Sequence, residues 1–106
     1  MNKIRLVINN EAQKKGKEKF FIKKELQSIL NLYAKMVSNG SWKDYSFTLG
    51  IKEVSFNVYQ RASEKPVLRI LKNLKPKYFN EKYLIKDKNG AILKKSENLN
   101  QLISKT

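Results

Sequence analysis

Ile22, Leu26, Ile29, Leu30, Tyr33 and Val37 recur mainly at steps of three and four, the spacing of one face of a 3.6-residue helix. Lys24, Gln27, Asn31, Lys35 and Ser38 fill the opposite side. Asn39-Gly40 then supplies residues that tolerate the left-handed backbone at a helix stop. A helix of about 16 residues is marginal alone in water, so the stripe must be laid on a partner. From Trp42 onward the period changes to two. Tyr45, Phe47 and Leu49 alternate with Ser46 and Thr48, and after a turn region at Gly50 and Lys52-Glu53, Val54, Phe56 and Val58 alternate with Ser55, Asn57 and Tyr59. This predicts a hairpin whose strands each offer one apolar face.

Pro66 cannot donate to a sheet ladder, so it stands at the entrance of a third strand, Val67 to Leu71, and Lys72 to Pro76 are expected to leave the sheet. Tyr83 to Ile85 and Ala91 to Leu93 flank Asp87-Lys88-Asn89-Gly90, a strong local hairpin signal. Ser96 or Asn98 can cap a short terminal helix with Leu99, Leu102 and Ile103 on its apolar side. At the other end, Ile4, Leu6 and Ile8 predict a short strand within residues 1 to 9, and the nearly apolar-free stretch 10 to 19 reads as a polar linker or loop. The expected architecture is α+β. One main amphipathic helix packs on an antiparallel, meander-type sheet, with a C-terminal hairpin and a short terminal helix, and residues 20 to 106 form a single domain.

The length of 106 residues leaves room for one core. A hydrophobic fraction of 41% is enough to fold it. Cysteine and histidine are absent, which removes disulfides, thiolate metal sites and an imidazole general base. Asp44, Glu53, Glu64, Glu81, Asp87 and Glu97 follow no metal-loop spacing, and no GxxxxGK[ST] phosphate loop occurs. No catalytic residue, metal site or cofactor is therefore expected. Neither a membrane span nor an exported leader is apparent, and a reducing cytoplasm is the expected location.

The net charge of +14 changes the picture most, because a field of this sign favours polyanions and acidic partners. Lysine supplies 20 of the 23 basic residues, and arginine, the better bidentate phosphate ligand, appears only at Arg5, Arg61 and Arg69. Part of a Lys- and Asn-rich composition can also reflect AT-rich coding. Residues 1 to 53 carry +6 and residues 54 to 106 carry +8, so the charge belongs to the body of the domain rather than to an arm. Lys72, Lys75, Lys77, Lys82, Lys86, Lys88, Lys94 and Lys95 form the candidate anion-binding set. They interleave with Tyr78, Phe79 and Tyr83, which could stack bases. The paired aromatic ribonucleoprotein segments and the GxxG clamp of common RNA-binding folds are missing.

The most distinctive letters are Ser41-Trp42-Lys43-Asp44-Tyr45 and Tyr59-Gln60-Arg61-Ala62-Ser63-Glu64. If the meander brings these segments together, Arg61 could pair with Asp44 or Glu64 beneath Trp42 and hold a phosphate or a partner's carboxylate. Alternatively Arg61 buttresses its own turn and Trp42 packs under the helix end. Trp42, Asp44, Tyr45, Arg61, Ser63, Glu64 and Arg69 are the candidate binding residues.

Glu25-Leu26, Ile29-Leu30, Leu32-Tyr33, Met36-Val37, Gly40, Trp42-Lys43-Asp44-Tyr45, Phe56, Arg61-Ala62-Ser63-Glu64, Pro66 and Arg69-Ile70, followed by Gly90-Ala91-Ile92-Leu93-Lys94, resemble a family of small alphaproteobacterial proteins, the DUF2794-like domain of unknown function. The chain departs from that pattern at Ile22, where the family has an acidic residue suited to capping the helix. The resemblance supplies no activity, and it implies that the central segment is the family signature. The expected function is a small basic cytoplasmic binding or accessory domain associating with nucleic acid or another polyanion. The alternative is a protein-interaction or self-assembly module, with an acidic protein or a second copy as partner, using the Trp42 and Arg61 region.

Overall fold

A computed structural model describes residues 19–61 and 65–104. The expected N-terminal strand lies outside the described residues, as does the linker apart from Lys19. The main helix, α1, spans Lys23–Ser38. Its first turn lacks the side-chain oxygen that usually caps a helix, because Ile22 stands there. Glu25 substitutes by reaching back, its Oε1 accepting the Ile22 N–H at 2.7 Å. At the other end the Gly40 N–H donates to the Val37 carbonyl at 3.0 Å and the Ser41 N–H to the Met36 carbonyl at 2.9 Å. Gly40 adopts φ +84°, the left-handed position that lets the chain turn from helix into sheet.

Five strands follow: β1 (Asp44–Leu49), β2 (Glu53–Tyr59), β3 (Leu68–Asn73), β4 (Tyr83–Asp87) and β5 (Ile92–Ser96). A 3-10 turn at Phe79–Glu81 precedes β4, and a terminal helix, α2 (Leu99–Ser104), closes the described chain. The strands make one antiparallel sheet in sequence order, so the expected meander and C-terminal hairpin are one surface. Asn98 caps α2 through its Oδ1, which accepts the Gln101 N–H at 3.1 Å. Gly90 takes φ +85° in the β4–β5 turn, where Asp87 Oδ1 accepts the N–H groups of Asn89 and Ala91.

Register decides which side chains face the helix. Phe47, Phe56, Ile70 and Ile85 form one cross-strand row, and Leu49, Val54, Lys72 and Tyr83 form the next. Val54, Phe56, Ile70 and Ile85 are buried in one core with Leu26, Ile29 and Leu32 of α1, Phe21 before it, and Leu99 and Leu102 of α2. Rings continue this core along the sheet: Phe20 meets Phe47 at 5.3 Å, Tyr45 stacks on Phe56 at 5.2 Å, and Tyr33 meets Tyr45 edge-on at 4.9 Å.

Two expectations change. The buried stripe of α1 runs through Glu25, Leu26, Ile29 and Leu32 with Tyr33 and Met36 beside it, while Leu30 and Val37 face outward. Strand β3 continues to Asn73 instead of ending at Leu71, because Lys72 pairs with Val54 on one side and Tyr83 on the other.

The face away from α1 also buries polar groups. Asn57 Nδ2 donates to Thr48 Oγ1 at 2.9 Å and Ser46 Oγ at 3.2 Å, and Ser55 Oγ donates to Asn57 Oδ1 at 2.8 Å. Asn57 is buried, so this network satisfies an amide that water cannot reach freely. Replacing Asn57 by alanine is expected to cost about 1–3 kcal/mol, read as a lower denaturation midpoint with an unchanged m-value.

Candidate functional site

The Asp44↔Tyr59 pairing sets the start of β1 beside the end of β2, and the Lys43 N–H donates to the Tyr59 carbonyl at 2.8 Å. The chain segments on either side of that bond open into a cleft of about 560 Å³ lined by Gly40, Lys43, Asp44, Gln60 and Arg61. The meander therefore does bring Asp44 and Arg61 to one place. Lys43 joins them from the same signature, giving two cations and one carboxylate on an open polar cleft.

Trp42 does not offer a binding face. It is 5% exposed, its backbone N–H donates to the Met36 carbonyl at 3.3 Å, and its ring lies 6.2 Å from that of Tyr33. Packing under the helix end is the reading that the geometry supports. Tyr45 is half-buried between Tyr33 and Phe56 and likewise serves the core. Asp44 Oδ1 accepts the Tyr45 N–H at 2.8 Å, which orients the carboxylate along the strand. Burial pushes the Tyr33 phenol above its ordinary value of 10.0, and the nearby Asp44 carboxylate and Tyr45 add to that shift. Arg69 is exposed two rows from the Asp44–Tyr59 pair, across from Asn57 on one side and Lys86 on the other. Ser63 and Glu64 lie outside the described residues.

The lysines named from the sequence do not form one stripe. Lys75, Lys77 and Lys82 lie in the β3–β4 connection, Lys88 is in the β4–β5 turn at the opposite end, and Lys86 and Lys95 share the sheet face away from α1. Lys94 pairs with Ile85 and falls on the helix side. Lys72 must be removed from any surface set, because it is fully buried and its Nζ donates to Glu25 Oε1 at 2.8 Å and to the Phe20 carbonyl at 3.1 Å. The Tyr83 hydroxyl donates to the second oxygen of the same carboxylate.

Sequence reasoning missed this buried Glu25, Lys72 and Tyr83 group. Its signal was phase: Lys72 follows Leu68 and Ile70 at a spacing of two, and Glu25 sits between Ile22 and Leu26 on the apolar stripe of α1. Among the described residues no group of three or more metal-ligating side chains converges. None of the described helices is long and apolar enough to cross a membrane.

A model of a protein family of unknown function, DUF2794, matches residues 19–103. The chain belongs to the DUF2794 family. The DUF2794 match takes in α1, all five strands and the residues that line the cleft, so Trp42-Lys43-Asp44-Tyr45 and Arg61 stand inside the matched region. No curated protein and no solved structure matches the chain.

Proposed function

We propose that this DUF2794 domain is a cytoplasmic, non-catalytic binding module for a phosphate-bearing polyanion, nucleic acid in the first instance. The supporting observation is the cleft at the C-terminal end of α1, where antiparallel pairing places Lys43 and Arg61 from separate segments at one opening. Arginine matches a phosphate bidentately, and a neighbouring ammonium adds charge without a fixed geometry. The chain's net charge of +14 would speed the encounter, and the cleft would fix where contact is made.

Anisotropy titrations with single-stranded and duplex oligonucleotides across a salt series test the reading. Binding is expected at low salt and should weaken steeply as salt rises. Arg61→Ala should reduce the salt slope by about 1, the signature of one lost phosphate contact. Absence of binding at low salt overturns the proposal, as does an Arg61→Ala variant with unchanged slope and affinity.

Asp44 and Gln60 favour a second reading, because a carboxylate and an amide in the same cleft also suit the mixed chemistry of a protein partner. A partner protein retained by the wild type and by a Lys86→Gln/Lys95→Gln variant, but lost with Arg61→Ala, supports that reading instead.

A further inference from the structure

The end of the sheet opposite the cleft carries the largest exposed apolar side chains of the described residues. Ile51 is 89% exposed, Phe79 80%, Leu49 70% and Tyr78 57%. They come from the end of β1, the β1–β2 turn and the β3–β4 connection, and the backbone ties these two turns side by side. The Leu74 N–H donates to the Lys52 carbonyl at 2.8 Å, and the Asn73 N–H donates to the Lys82 carbonyl at 2.8 Å. Leu74 itself packs inward against the core, which anchors the pair of turns while their tips stay in water. Lys52, Lys75 and Lys77 lie in the same turns, and Lys77 Nζ sits 5.7 Å from the centre of the Tyr78 ring. Of the nearby carboxylates, Glu81 is half-buried with Lys95 Nζ at 3.9 Å, and Glu53 stands at the start of β2.

Four large apolar groups held in water at one end of a small domain mark a contact surface. We infer that this end docks on an anionic lipid surface, with Leu49, Ile51 and Phe79 entering the headgroup boundary and Lys52, Lys75 and Lys77 remaining among the lipid phosphates. The chemistry selects this occupant. Leucine and isoleucine side chains gain nothing from stacking on bases, whereas they gain from burial beside acyl chains. Lysine on a flexible stem reaches from an apolar tip back to the headgroup level, and its charge is complementary to anionic lipid without needing bidentate geometry. Tyrosine belongs at that boundary, ring inward and hydroxyl outward. This surface is separate from the Lys43 and Arg61 cleft, so neither proposal depends on the other.

Flotation of the full chain with phosphatidylcholine vesicles, with and without phosphatidylserine, tests the inference. The wild type is expected to float with the phosphatidylserine vesicles and to stay behind with the neutral ones. Ile51→Ser/Phe79→Ser should lower that partitioning by about tenfold or more, since both groups are exposed and their loss leaves the core intact. A Phe79→Trp variant should show a blue shift in emission on adding the anionic vesicles. Flotation unchanged in the double variant, or emission unmoved by vesicles, overturns the inference. It falls equally if the double variant keeps its lipid partitioning but loses affinity for a single-stranded oligonucleotide, which would make the tips a stacking platform.

Discussion

Replacing Glu25 by alanine is expected to destabilise the domain by about 3–5 kcal/mol, the effect of leaving a buried cation without its partner. The carboxylate is engaged on every side: Lys72 and the Ile22 N–H share Oε1, and the Tyr83 hydroxyl holds Oε2. Its removal takes the counter-charge from a fully buried ammonium, opens the start of α1 and takes a hydrogen-bond acceptor from a buried phenol at once. Urea denaturation followed by far-UV circular dichroism reads the loss as a shift in midpoint. The combined variant Glu25→Leu/Lys72→Met/Tyr83→Phe should recover part of it, because a well-packed apolar replacement avoids the desolvation of two charges. Recovery should stop short of the wild type, since the Phe20 carbonyl and the Ile22 N–H lose partners as well. A Glu25→Ala midpoint within about 0.5 kcal/mol of the wild type, the scatter of ordinary surface changes, would falsify this account of the network.

That network also shows where reading the sequence stops. Period-two alternation gave the strands of the first hairpin because each sets its apolar residues on one face and polar residues on the other. Val54, Phe56 and Val58 could hardly face water together. The Asp87-to-Gly90 turn and the Asn39-Gly40 stop were legible because their backbone demands particular residues. The end of β3 was not legible. A lysine after Leu71 looks like an exit from the sheet, and only a carboxylate 47 positions earlier makes it a core residue. Pair interactions across the fold carry no local letter. The helix face was misplaced for a related reason: counting apolar letters centres the stripe toward Leu30 and Val37, whereas the ion pair with Lys72 draws Glu25 inward and turns the buried face toward Leu32.

The same limit applies to the cleft. Proximity of Asp44 and Arg61 followed from the hairpin register once the turn was placed, so the site could be anticipated from β1 and β2 alone. The role of Trp42 could not, since an aromatic beside Lys and Asp reads equally as a lid or as a wedge beneath the helix. Exposure decides it, and exposure depends on Tyr33 and Met36 arriving from α1.

Trp42→Ala is accordingly expected to cost about 3–5 kcal/mol of stability, as for other large-to-small changes in a packed core. The indole fills the space between the end of α1 and the start of β1, and its removal leaves a cavity beside the Tyr33 ring. Trp42→Phe should recover much of the loss by restoring ring volume, and guanidinium denaturation of the three proteins would give the ranking. Arg61→Ala changes an exposed side chain and should leave the midpoint much closer to the wild type. The two substitutions thus separate support from contact. If the cleft binds a phosphate, Arg61→Ala weakens binding in a protein of nearly native stability, while Trp42→Ala weakens it only as the helix end and the Lys43-Asp44 segment loosen together. A Trp42→Ala protein of undiminished stability that no longer binds would place the indole in the contact itself and reverse the assignment made from its burial.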